Sequence, residues 1–139
     1  MTSATNNPYA TAAQTAALRR SGARYRRDRM AATDMVTPDE ATELAGTSRD
    51  TLDDWIKSGR CIGLADLHRG IKLPRWQFEP SVWPALQPLA KVLGTSDGWQ
   101  LLSFLESSAP ALEGRTPRAA LEQGIALNQI FALAVAEMH

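Results

Sequence analysis

The sequence contains very few residues that bind metals or form disulfides. Among its 139 residues are one cysteine, Cys61, and two histidines, His68 and His139. A single cysteine cannot form an intramolecular disulfide, and small secreted proteins more often carry a paired set. Three scattered residues also do not provide the ligand spacing of a zinc site. We therefore expect no disulfide, no metal and no cofactor, and we expect Cys61 to be a small buried apolar residue.

Long apolar runs are also absent. No stretch approaches the roughly 20 apolar residues that a helix needs to cross a bilayer. The first residues are polar, unlike the apolar stretch of a signal peptide. Hydrophobic residues make up 44% of the chain and charged residues 22%, which suffices for a small buried core. The expectation is a cytoplasmic protein without a membrane segment.

No pattern typical of catalysis stands out. The two histidines are not placed to form a Ser/His/Asp or Cys/His set, and the glycines do not follow a phosphate-binding pattern. Asp53 and Asp54 are adjacent, so on a helix their side chains diverge by about 100°. The sequence therefore predicts a protein that is not an enzyme.

The net charge is zero, but the charges are unevenly distributed. Six arginines against two aspartates give residues 1–35 a charge of +4, whereas residues 36–80 and 81–139 carry −2 each. Residues 1–15 lack apolar periodicity and are expected to be disordered, and residues 16–31 are compatible with a frayed helix. Residues 1–35 are therefore predicted to be a flexible Arg-rich arm, which either contacts phosphates or is a solvated leader.

Residues 37–59 carry the signature of two short helices joined by a tight turn. Thr37 and Glu40 form a capping box around Pro38, which suits a first helical position. Gly46 ends this helix. Thr47 or Ser48 then caps a second helix, in which apolar residues recur at helical spacing. This arrangement is typical of a helix-turn-helix motif.

A segment with β character follows the second helix. Residues 61–64 and 71–73 form two short extended runs, and residues 65–70 are long enough for a hairpin loop. A hairpin after a recognition helix is typical of a wing. Trp76 and Phe78 then offer two aromatic side chains that can seal the wing onto the helices.

From residue 80 onward, the pattern is entirely helical. Gly94 ends one helix, Thr116 starts another, and Gly124 precedes the last. The apolar residues of the last helix cover more than one stripe, so burial on several sides is expected. In so small a module, a second subunit or another protein would cover part of that surface.

The predicted fold is thus mainly α, with a winged helix-turn-helix followed by a small helical bundle domain. The predicted segments are the arm at 1–35, the helix-turn-helix with its β-hairpin wing at 36–79, and a helical domain for toxin binding or dimerisation at 80–139.

Several blocks along the chain resemble one known family. They are RGIKLPRWQF at 69–78, WQLLSFL at 99–105, ALEGRTP at 111–117, and then Ala120, Leu121 and Gly124. In this order and spacing, they resemble antitoxins of the Xre/MbcA/ParS class, across roughly residues 36–138. Residues 1–35 have no counterpart in that pattern, and the helix-turn-helix is closer to the MerR or excisionase type.

The resemblance implies an antitoxin of a type II toxin–antitoxin system, without enzymatic activity of its own. Such proteins bind the operator of their own operon as dimers and repress it. Their C-terminal domain inhibits a cognate toxin, usually of the NAD-consuming RES type. The resemblance suggests that the toxin-binding residues are Trp99, Gly114, Arg115 and Arg118.

The candidate contacts with double-stranded DNA lie on the second helix and around the wing. They are Arg49, Thr51, Lys57, Arg60, His68, Arg69 and Lys72. Three aspartates on the same helix (Asp50, Asp53 and Asp54) oppose phosphate binding, and Asp54 is placed to pair with Lys57 or Arg60. The alternatives are a stand-alone transcription regulator, an excisionase-like architectural protein, and a protein adaptor with no nucleic-acid role.

Overall fold

The computed structural model describes residues 11–138, and it confirms the mainly α fold class. The described residues also form a small three-stranded sheet. In chain order, the helices and strands are α1 (Ala12–Met30), β1 (Met35–Val36), α2 (Pro38–Ala45), α3 (Arg49–Ser58), β2 (Leu64–Asp66), β3 (Gly70–Pro74), α4 (Trp83–Leu93), α5 (Gly98–Leu105), α6 (Pro117–Glu122) and α7 (Leu127–Met138). Short 3-10 turns span Arg75–Phe78 and Pro110–Leu112.

Helix α1 belongs to one compact unit, and the chain from Asp34 onward forms another. The helix begins at Ala12, so the prediction of disorder is wrong for residues 12–15. Its start is fixed by a capping box, in which Thr11 Oγ1 accepts from Gln14 N and Gln14 Oε1 accepts from Thr11 N. The rest of the disorder prediction, for residues 1–10, lies outside the described residues. Flexibility of the arm stays a prediction.

Helices α2 and α3 begin and end where their capping residues predict. Thr37 Oγ1 accepts from Glu40 N at 3.2 Å, and Glu40 Oε1 accepts from Thr37 N at 3.0 Å. Gly46 ends α2 with a positive φ of 64°, which glycine adopts without steric cost. Ser48, rather than Thr47, caps α3 by accepting from Thr51 N.

The sheet has the strand order β1-β3-β2, with both pairings antiparallel. Strands β2 and β3 form the predicted hairpin, in which Leu64 lies opposite Lys72. Strand β2 begins only at Leu64, so most of the extended run predicted at 61–64 is not a strand. Strand β1 was not predicted, and it pairs Val36 with Leu73 beside the hairpin.

The core beneath the two short helices is assembled from several elements. Its buried members are Val36, Ala41, Leu52, Cys61 and Leu73. Trp76 is also buried, and Phe78 packs against this core. The two aromatics therefore anchor the end of the hairpin, as the sequence predicts.

The predicted boundary between residues 79 and 80 does not separate two compact units. The indole rings of Trp55 and Trp83 lie 5.3 Å apart between centroids, one on each side of that boundary. A Cβ on Gly98 would overlap the carbonyl oxygen of Gly63, so the start of α5 packs directly on the backbone before β2. These contacts join the segments predicted as separate domains into the unit that begins at Asp34.

Helix α7 is buried on one side only, contrary to the expectation of burial on several sides. Ile130 and Ala134 are fully buried, and the helix packs against α4. Leu127 and Val135 remain 37% and 47% exposed. The physical reason is that α7 packs mainly against α4 and to a smaller extent against α6, so the side chains that face away from these helices stay in solvent. Coverage of that face by a second molecule stays a prediction.

Candidate nucleic-acid interface

The outer face of α3 carries charges of both signs. Leu52 faces the core, which leaves Arg49, Asp50, Asp54 and Lys57 exposed to solvent. Arg49 Nε lies 3.1 Å from Asp53 Oδ1, one helical turn away, so its guanidinium is already paired. With two basic and three acidic side chains, this face has a net charge of 2 − 3 = −1. Asp53 pairs with Arg49, whereas the sequence suggested a pairing for Asp54.

Thr51 and Lys57 differ in their availability on α3. Thr51 is half-buried, and its hydroxyl accepts from Ser48 Oγ at 3.0 Å within the helix cap. Lys57 is exposed in the last turn of the helix. Lys57 is therefore the better placed of these two predicted residues for contact with an anionic partner.

The tip of the β2–β3 hairpin is organised by Asp66. Its Oδ1 accepts from the backbone N–H of His68 at 2.8 Å and lies 3.7 Å from Arg69 Nη1. Its carbonyl oxygen accepts from the backbone N–H of Arg69 at 3.3 Å. Leu67, between them in sequence, is 100% exposed. The tip is thus a fixed turn that presents Leu67, His68 and Arg69 to solvent.

Lys72 and Arg60 are less exposed than the hairpin tip. Arg60 Cζ lies 4.4 Å from the centroid of the Trp83 ring, a cation–π contact that holds its guanidinium against the protein. Lys72 is half-buried on β3 and lies near Glu40. Hydrogen bonds from Thr37 hold the pKa of Glu40 below its usual value, and the charges of Lys72 and Arg75 lower that pKa further.

The residues predicted to bind a toxin occupy different places in the fold. Trp99 Nε1 donates to the Ala65 carbonyl oxygen at 3.2 Å, so this indole braces the hairpin. Gly114 is exposed, in a turn with a φ of 83°. Arg115 donates to Leu112 O at 2.9 Å and to Gln123 Oε1 at 2.7 Å, which fixes the turn before α6. Arg118 is the fourth and borders a surface pocket.

That surface pocket has a volume of about 500 Å³. Arg118 Cζ lies 4.4 Å from the centroid of the Trp76 ring, and Trp76 Nε1 donates to Asp34 Oδ2 at 3.0 Å. Leu44, which is 50% exposed, lines another part of the wall. Sequence reasoning identified neither Asp34 nor Leu44 as a site residue, because these residues come together only through the fold.

Chemically reactive groups are sparse in this structure. Within residues 11–138, no group of three or more His, Cys, Asp or Glu side chains is arranged to hold a metal ion. Cys61 is fully buried, as predicted, and burial raises the pKa of its thiol to about 12. Among the described helices, none combines the length and apolar character needed to cross a membrane.

No protein-family model, curated protein or solved structure matches this chain. Its function must therefore be argued from its own residues and their geometry.

Proposed function

We propose that this chain binds double-stranded DNA through a winged helix-turn-helix unit formed by α2, α3 and the β2–β3 hairpin. The observation that carries the proposal is the order of these elements. Two capped helices are joined by a tight turn at residues 46–48, and a hairpin follows whose exposed tip presents His68 and Arg69. In proteins with this order, the second helix enters the major groove and the hairpin contacts the adjacent backbone or groove.

The charge distribution supports unequal contributions of α3 and the hairpin to the affinity for DNA. Affinity for DNA comes mainly from Lys and Arg side chains that neutralise phosphates. Helix α3 has a net negative outer face, on which Lys57 is the cation best placed to meet a phosphate because Arg49 pairs with Asp53. Arg69 at the hairpin tip supplies further positive charge. The hairpin therefore contributes more to affinity than α3 does.

A binding titration of the full chain tests this proposal. Fluorescence anisotropy with labelled duplex DNA at several salt concentrations would compare the wild type with Lys57→Ala and Arg69→Ala. Each substitution is expected to weaken binding severalfold and to reduce the slope of log K against log salt by about 1. Lys91→Ala removes an exposed lysine from α4 and is the matched control. Lack of binding by the wild type, or equal binding by all four proteins, would refute the proposal.

We further propose that the protein is an antitoxin that represses its own operon. The support is the resemblance to antitoxins in the blocks at 99–105 and 111–117, together with the exposed apolar side chains of α7. Exposed Leu127 and Val135 suit the apolar centre of a protein–protein interface, either with a second copy or with a toxin.

Co-expression with the protein encoded beside it tests the antitoxin role. A RES-type neighbour should co-purify with the wild type and should arrest growth when expressed alone. Arg118→Ala should weaken that complex, whereas Lys91→Ala should not. If the neighbour does not co-purify while DNA binding persists, the protein is instead a stand-alone regulator.

A further inference from the structure

The most exposed large apolar side chain of the described residues stands at the tip of the hairpin. Leu67 is 100% exposed, compared with 72% for Leu18 and 50% for Leu44. An isolated exposed leucine is common on protein surfaces and by itself indicates little. Leu67 differs because two groups that favour DNA, His68 and Arg69, follow it directly in the same turn.

The turn holds Leu67 in a defined position. Asp66 accepts the backbone N–H groups of both His68 and Arg69, and its carboxylate also attracts the Arg69 guanidinium. Gly70 has a φ of 71°, which lets the chain turn directly into β3. Trp99 braces the hairpin from α5 through its bond to Ala65. A leucine on a braced turn can be inserted into a partner with a smaller loss of conformational entropy than one on a loose loop.

We propose that Leu67 is an apolar wedge that enters the minor groove and inserts between base pairs, so that the protein bends the DNA it binds. This inference rests on the proposed DNA-binding function and adds a mechanical activity to it. Proteins that kink DNA from the minor groove insert residues such as leucine and contact the groove with basic side chains. Arg69 is available to contact the groove, because its contact with the Asp66 carboxylate is long, at 3.7 Å.

The charge of α3 makes the hairpin the favoured point of close approach. The minor groove has an enhanced negative potential where it is narrow, and this potential attracts arginine. Three carboxylates on α3 are repelled by phosphates, whereas the hairpin tip holds one carboxylate, Asp66, which is half-buried and contacts the backbone N–H of His68 and the Arg69 guanidinium. Pyrimidine–purine steps unstack most easily, so a TA step opposite the wedge is the expected target.

The test compares bending with binding on the same DNA. Duplexes enriched by the wild-type protein from a random pool would be labelled at both ends, and energy transfer would report their end-to-end distance. The wild type should bend the duplex by about 20–90°. Leu67→Ala should remove most of the bend and weaken binding only severalfold, because the basic contacts remain. Leu67→Met should preserve the bend, since methionine is also found as a wedge.

Leu18→Ala is the matched control, because it shortens another exposed leucine that lies outside the winged helix-turn-helix unit. It should leave both affinity and bend angle unchanged. If the wild type binds without bending, or if Leu67→Ala bends DNA as the wild type does, the wedge is overturned while DNA binding stands. If no duplex is enriched, the proposed function and the wedge both fail.

Discussion

Gln77 shows how a single residue can connect distant parts of this chain. It is fully buried, and its amide accepts from Ile62 N at 2.7 Å and donates to Ile62 O at 2.9 Å. The side chain thereby satisfies both backbone groups of a residue that has no strand partner. Sequence patterning could not identify this role, because the bond joins positions 15 residues apart and glutamine is usually exposed.

Gly98 is required because the backbone of Gly63 lies against it. An added Cβ would overlap the Gly63 carbonyl oxygen, which cannot move as a side chain can. We expect Gly98→Ala to lower the free energy of unfolding by about 1–3 kcal/mol despite the higher helix propensity of alanine. Urea unfolding measures this loss. Gly22→Ala, in α1 with open space around it, should instead increase helix content, and equal effects of the two substitutions would contradict the packing argument.

The buried thiol of Cys61 should make the free energy of unfolding decrease at alkaline pH. Its thiol has a pKa of about 12 in the folded protein, against 9.0 for an ordinary cysteine. Because the folded-state pKa is raised, the thiol's contribution to stability is fully present below pH 9 and is lost between pH 9 and about 12. From pH 9 to pH 10, the loss is about 1 kcal/mol. Urea unfolding at both pH values should show this extra loss in the wild type but not in Cys61→Ala. Equal losses in the wild type and in Cys61→Ala would show that the thiol does not cause this pH dependence.

At the scale of elements, local capping chemistry was predictable and the pairing of elements was not. The starts of α2 and α6 follow from Thr37 and Thr116, whose hydroxyls cap the helices as expected. Strand β1 has only two residues, too few for a periodic pattern, and it forms because β3 offers a free edge. The exposure of Leu127 depends on which surfaces other helices cover, and the pattern along α7 does not contain that information.

The carboxylates of α3 should limit its affinity for DNA. Asp53 pairs with Arg49 at 3.1 Å and adds negative charge to the face proposed to meet DNA. Asp53→Asn removes that charge and weakens the hold on Arg49, so we expect binding to tighten about threefold or more at low salt. Glu137→Gln removes one exposed charge from α7 and should have no such effect. Anisotropy titrations would measure both, and an unchanged or weaker affinity for Asp53→Asn would argue against contact of α3 with DNA.

At the scale of the whole molecule, the segment with the two short helices depends on the helices that follow it. Trp83 packs against the core formed by Val36, Leu52 and Leu73, and Gly98 fits against Gly63. Sequence patterning suggested separate domains at 36–79 and 80–139, because the pattern is entirely helical from residue 80 onward. Contacts between residues distant in sequence determine that these segments share one compact unit.

A fragment of residues 34–79 should therefore fail to fold cooperatively, whereas residues 34–139 should fold. The short fragment lacks Trp83 and Gly98, so the core surface that Trp83 covers and the backbone of Gly63 would be exposed to water. Circular dichroism during urea unfolding would distinguish a sharp transition from a gradual one. A sharp transition for the short fragment would show that the two segments are independent after all.

We propose that α3 and the hairpin form a DNA-binding surface. Backbone amide shifts of the full chain, recorded by NMR during titration with an enriched duplex, test it most directly. We expect the largest shifts in residues 48–58 and 66–72, with smaller shifts in α4 and α7. Shifts confined to the helices after residue 80, or no shifts at a DNA concentration that saturates binding, would contradict it.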